Sequence, residues 1–112
     1  MAKKLFKNYN YSFDSNERKI LSTFCKQALN QMSADDKYFR ETKVFQSTLE
    51  KLQSGSEEIK LTKDESTKLA LNLRENIKSI EKQIDKSWFI KKWLLRSMHK
   101  QYLSIIQNHF SN

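Results

Sequence analysis

Proline is absent from this chain of 112 residues, and glycine occurs once, at Gly55. Without the two residues that punctuate tight turns, an all-β sandwich cannot close its many hairpins, and helix is the default. Cysteine also occurs once, at Cys25. A disulfide framework is thereby excluded, and two histidines with one cysteine cannot complete a structural zinc site. No stretch reaches the roughly 18 apolar residues of a membrane-spanning helix. Catalytic signatures are missing too: there is no glycine-rich phosphate loop, no His-Glu-x-x-His and no Cys-x-x-Cys. His99 and His109 do not share a helix face at i, i+4, and no acid follows Asp85 to pair with either. Cys25 falls on an apolar helical stripe, the place of a buried small hydrophobe rather than a nucleophile. Asp35-Asp36 and Asp64-Glu65 sit at expected helix starts, where acids complement the helix dipole without any acid–base role. The chain is therefore expected not to be an enzyme and to use no cofactor or metal. Met1 to Lys7 lacks the apolar run of a secretory signal, and Ala2 lacks the glycine of an N-myristoylation site, so the expected compartment is the cytoplasm. Asn10-Tyr11-Ser12 is then a chance match to a glycosylation triplet.

Acid is missing from both ends of the chain. Residues 1–13 hold Lys3, Lys4 and Lys7, and residues 86–112 hold Lys86, Lys91, Lys92, Arg96 and Lys100. Between them thirteen basic and thirteen acidic side chains cancel, so the whole net charge of +8 lies at the ends. Such ends are either simply solvated or attract phosphate backbone, an anionic membrane surface or an acidic protein.

What is present is helical periodicity. Tyr9, Tyr11 and Phe13 alternate with polar residues as a short strand does. Asp14 and Glu17 then make a capping-box spacing ahead of a stripe at Ile20, Leu21, Phe24, Cys25, Ala28, Leu29 and Met32. Ser33 reads as the next N-cap, with Tyr38, Phe45, Leu49 and Leu52 on one face of a second helix that stops at Ser54-Gly55-Ser56. Ile59 and Leu61 alternate again, Thr62 and Glu65 form a second box, and Leu69, Leu73, Ile77, Ile80 and Ile84 mark a third helix. A shift of 48 residues lays Tyr11 on Ile59, Phe13 on Leu61, Glu17 on Glu65, Leu21 on Leu69, Cys25 on Leu73 and Phe45 on Trp93. A β-α-α internal repeat would produce this match, and so would the generality of capping and stripe rules.

The expected fold is a single, mainly α domain over 1–112: a three- or four-helix bundle with a two-stranded ribbon from residues 9–13 and 58–61. Its termini are a basic segment, 1–8, and a basic aromatic helix, 87–110. The expected core is Phe13, Leu21, Phe24, Cys25, Leu29, Phe45, Leu49, Leu61, Leu69, Leu73, Ile77, Ile80, Ile84, Met98 and Tyr102. Residues 63–110 form one long helix or two. The stripe runs on through Ile84, Trp88, Leu95, Met98, Tyr102 and Ile105, which allows a homodimer along Leu69 to Ile105. A single helix of about 45 residues would span about 67 Å, too long for a domain of this size, so a break with Ser87 as cap is favoured.

Residues 87–96, Ser-Trp-Phe-Ile-Lys-Lys-Trp-Leu-Leu-Arg, stand out. Trp88 and Leu95 fall on the core stripe, whereas Phe89, Ile90 and Trp93 point elsewhere amid Lys91, Lys92, Arg96 and Lys100. Either these rings pack inside, or they form an exposed aromatic patch on a basic face. The sequence expectation is a non-enzymatic protein–protein interaction or regulatory module with a contact surface of Phe89, Lys91, Lys92, Trp93, Arg96 and Lys100. Membrane-surface or nucleic-acid binding through residues 88–100 ranks lower. Few arginines are present, and a helix whose stripe through Tyr102, Ile105, Ile106 and Phe110 is core cannot give that face to lipid.

Overall fold

A computed structural model describes residues 9–110; the basic segment 1–8, with Lys3, Lys4 and Lys7, lies outside the described residues. The fold is mainly α with a small antiparallel ribbon, as the periodicities require. The order is β1 (Tyr9–Tyr11), α1 (Ser15–Met32), α2 (Phe39–Leu52), β2 (Ile59–Leu61), α3 (Lys63–Ile84) and α4 (Phe89–Ile105), closed by a π-helical turn, Ile106–Phe110. The described residues gather into two compact units, one ending at Lys68 and the other starting at Leu69, within α3.

In the first unit β1 and β2 pair with Tyr9 opposite Leu61, Asn10 opposite Lys60 and Tyr11 opposite Ile59, a shorter ribbon than 9–13 and 58–61. Ile59 and Leu61 are buried on either side of exposed Lys60, so one face of β2 is core. The Asp14 carboxylate accepts from the Glu17 N–H at 2.7 Å, and Glu17 accepts from the Asp14 N–H at 3.0 Å, completing the first capping box. Leu21, Phe24, Cys25 and Ala28 of α1 and Phe45, Thr48 and Leu52 of α2 are buried where the two helices pack together. Arg18 of α1 donates to the Leu52 carbonyl at 3.3 Å, satisfying an acceptor that the end of α2 leaves open. Gly55, with φ of 85°, occupies the left-handed conformation that any other residue would adopt only with strain.

Glu65 is the main polar element of this core. It is buried, yet its carboxylate accepts from the Thr62 N–H at 2.8 Å, from Lys51 Nζ at 2.6 Å and from Ser47 Oγ at 2.5 Å. In return the Glu65 N–H donates to Thr62 Oγ1 at 3.1 Å. Burial alone would raise the pKa of this carboxyl. The hydrogen bonds from Lys51, Ser47 and Thr62, with the Lys51 charge, outweigh burial and hold it below its ordinary 4.5. Behind it, the Ser66 and Tyr11 hydroxyls hydrogen-bond and tie β1 to the first turn of α3.

In the second unit Leu69, Ala70, Leu73, Ile77 and Ile80 of α3 are buried, as are Leu95, Tyr102 and Ile105 of α4 and Ile106 and Phe110 of the final turn. His99 lies 2.8 Å from Glu81, and Arg74 donates to the Phe110 carbonyl at 2.9 Å. The later residue of α3 meets the earlier residue of the other arm, so the two arms run antiparallel.

Several expectations are corrected. Ser33 ends α1, its N–H bonded to the Leu29 carbonyl at 2.9 Å. Asp35 instead caps a 3₁₀ turn, Asp36–Tyr38, that leads into α2. Residues 63–110 form two helices, but Ser87 does not cap the second: its hydroxyl turns back to the Gln83 carbonyl at 2.8 Å, and Trp88 holds the N-cap position with an extended backbone. Trp88 thus lies outside either helix, where the stripe no longer dictates its direction, and it is exposed rather than core. Leu29, Leu49, Ile84 and Met98 are half-buried at the margins of their faces.

The element order β-α-α occurs twice. Asp14 and Thr62, the box residues before α1 and α3, are forty-eight apart, whereas α2 and α4 begin fifty apart because α3 is longer than α1. The changed offset moves one pairing: buried Phe45 corresponds to buried Leu95, not to exposed Trp93.

The two boxes differ in burial, and so should their energetic weight. Asp14→Ala, at an exposed cap, is expected to cost about 1 kcal/mol, and Glu65→Ala, which leaves three donors without their acceptor, about 2–3 kcal/mol in urea titrations. Because the folded Glu65 carboxyl is the stronger acid, its contribution is intact above about pH 4.5 and is lost as pH falls through the lower folded value. Equal costs for the two variants, or an E65Q variant with unchanged acid sensitivity, would contradict this assignment.

Candidate functional site

The candidate surface is built by the phase of α4. At about 100° per residue, Leu95, Met98, Tyr102, Ile105 and Ile106 share one side of the helix. That side carries its buried residues. Trp93 and Tyr102, nine residues apart, point in opposite directions. Phe89, Lys92, Trp93, Arg96 and Lys100 gather on the side away from the core, so five of the six residues expected from the sequence share a face. Lys91 does not: it lies roughly 160° from Trp93, exposed only because it sits in the first turn.

Side-chain exposure is high where the sequence left packing open. Trp88 is 65%, Phe89 76% and Trp93 71% exposed, and Ile90 and Leu94 are about half exposed beside them. Trp88 and Phe89 meet edge to face, with centroids 6.2 Å apart. Five large apolar side chains are therefore exposed at the N-cap and first two turns of α4. Single exposed apolar residues are ordinary; a contiguous group of them is not. Lys86, Arg96 and Lys100 are exposed and Lys92 half-exposed in the same stretch, Lys91 is exposed on the other side of the helix, and no acidic residue follows Asp85.

Trp88, Ile90 and Leu94 were missing from the sequence-based surface. The signal for Trp88 was the break at residues 85–88, which removes it from any helical face. Ile90 and Leu94 share the flank next to Trp93, visible only once the core side of α4 is known.

The first half of the chain has a counterpart corner. Tyr38 precedes α2 and Phe39 opens it, as Trp88 and Phe89 do for α4. There a cation lies over each ring, although Phe39 itself is 62% exposed: Lys43 Nζ lies 4.7 Å from the Phe39 centroid and Lys37 Nζ 5.1 Å from that of Tyr38, and Asp35, Asp36 and Glu41 stand close in sequence. Among the described residues, no cation lies over the Phe89 or Trp93 ring.

No family model, curated protein or solved structure matches this chain.

Other surfaces carry little chemistry. An open depression of about 330 Å³ is lined by Glu50, Lys51, Ser54, Ser56, Glu58, Ile59 and Lys60. Among the described residues, no three of His, Cys, Asp and Glu converge to hold a metal ion. No helix among the described residues is long and apolar enough to cross a membrane. Cys25 is buried, and that burial pushes its thiol up to about 12, far from a nucleophile's range.

Two measurements check this placement. In Trp88→Phe, which leaves Trp93 as the sole indole, emission is expected to be red-shifted and readily quenched by acrylamide; blue-shifted, protected emission would place the ring in a core. Cys25 is expected to resist a thiol reagent until denaturant unfolds the chain, and fast labelling of the native protein would contradict its burial.

Proposed function

We propose that the protein is a small, non-enzymatic interaction or regulatory module that docks through the amino-terminal corner of α4. The observation that carries this reading is the joint exposure of Trp88, Phe89, Ile90, Trp93 and Leu94 around the start of α4, with Phe89 and Trp93 turned away from its buried face. Keeping two tryptophans and a phenylalanine in water forgoes burial worth roughly 1.5–3 kcal/mol per side chain. A binding surface is one reason to forgo it, because large rigid aromatics give much contact area for little lost entropy. The cations around the corner set the partner's charge: it is anionic. A homodimer along Leu69 to Ile105 forms no part of the proposal, since Leu69, Leu73, Ile77, Ile80, Leu95, Tyr102 and Ile105 are already covered within one chain.

A photocrosslinking benzoyl-phenylalanine placed at position 89 or 93 is expected to give adducts in the protein's own cells. The same group at Thr67, an exposed position of the first unit, is expected to give none. The charge-reversed Lys92→Glu/Arg96→Glu variant should fold normally and lose those adducts. Absence of adducts from positions 89 and 93, or undiminished adducts after charge reversal, would contradict the proposal.

A further inference from the structure

We infer that the docking corner of α4 takes an anionic lipid surface, with Phe89, Ile90, Trp93 and Leu94 entering the headgroup–acyl boundary and Lys92, Arg96 and Lys100 lying against lipid headgroups. This rests on the interaction-module reading and names the partner of the same site. Three rings stand 65–76% exposed at one helix end, and a fluid interface receives exposed rings without needing a matching pocket.

Residue type points the same way. Tryptophan seated beside aliphatic side chains belongs to the zone between headgroups and acyl chains, where one end of the ring is dry and the other wet. The cations beside the rings are Lys92 and Lys100 with a single arginine, Arg96, and Lys86 precedes them in sequence. Lysine is a hydrated point charge, depleted in the cores of protein interfaces but well suited to the diffuse potential of an anionic membrane. One arginine is also a poor inventory for guanine readout or phosphate forks on nucleic acid. A second copy of the chain is disfavoured, because symmetric contact through this corner would bring like charges together.

The internal comparison strengthens the case. At the fifty-residue offset that relates α2 to α4, Arg40 becomes Ile90, Glu41 becomes Lys91 and Lys43 becomes Trp93. The changes at Ile90 and Trp93 replace charge with apolar surface beside the aromatic pair, while the acid Asp35 is kept as Asp85. The same helix keeps its other side for the core through Leu95 and Tyr102, so core and lipid do not compete for one face.

The test is co-sedimentation of the intact chain with vesicles of phosphatidylcholine containing about a third phosphatidylglycerol. Binding is expected to the mixed vesicles and to fall at least tenfold on pure phosphatidylcholine. Removing one cation, as in Arg96→Gln, should weaken it about fivefold. Trp93→Glu, checked for its helical signal, should weaken it at least tenfold. In the unmodified protein, brominated acyl chains should quench the tryptophan emission, a readout that needs no variant. Equal binding to pure phosphatidylcholine, or no quenching by brominated lipid, overturns the inference. So does steeply salt-dependent binding to a single-stranded oligonucleotide without binding to vesicles. Absence of vesicle binding with Trp93 still exposed in solution overturns the lipid partner alone; a protected Trp93 in the lipid-free monomer overturns the docking corner as well.

Discussion

The carboxylate of Glu65 joins three pieces of chain that no apolar contact alone would hold in register. Through the Thr62 box it fixes where β2 ends and α3 begins, and through Ser47 and Lys51 it fixes α2 against that junction. A buried charge is tolerated only when its acceptors are filled, and here three donors fill them. The ribbon depends on the same point: β2 enters the box directly, and the Tyr11–Ser66 hydroxyl pair anchors β1 one residue further on. The equivalent box at Asp14 and Glu17 has the same reciprocal bonds in a more exposed setting.

Two β-α-α passes built on one plan make their differences informative. Both begin with a capping box forty-eight residues apart, and both place an aromatic pair at the start of the second helix. They diverge in what surrounds that pair. Around Tyr38 and Phe39, cations lie on the rings and acids stand near; around Trp88 and Phe89, Asp85 alone is acidic, beside Lys86, Ile90, Lys91 and Lys92 in sequence. The order of elements is shared between the halves, and the chemistry around the aromatic pair is not.

Capping boxes and stripes were legible in the sequence because they are local. Asp14-Glu17 and Thr62-Glu65 needed only spacing, and Leu21, Phe24, Cys25, Leu69, Leu73, Ile77 and Ile80 needed only the helical period. The break between the long helices followed from length. Ser33 and Ser87 were misread for one reason: a serine beside a helix serves the helix behind it or the one ahead, and the backbone path decides which. Trp88 falls on the core stripe only when the α3 phase is carried across residues 85–88, which are not helical. The face carrying Phe89, Trp93, Arg96 and Lys100 was legible as a candidate. Its exposure was not, because a helix apolar on several sides is compatible with burial all round until the packing of Leu95 and Tyr102 fixes its rotation.

The central claim is that α4 holds the core with one side and offers the other to a partner. Two substitutions two residues apart test it in a single denaturation experiment on the isolated protein. Leu95→Ala is expected to cost about 2–4 kcal/mol, as for a buried leucine, and Trp93→Ala to stay within about 0.5 kcal/mol, as for a surface position. A loss for Trp93→Ala as large as that for Leu95→Ala would mean that the tryptophan is part of the core and that α4 has no free aromatic face.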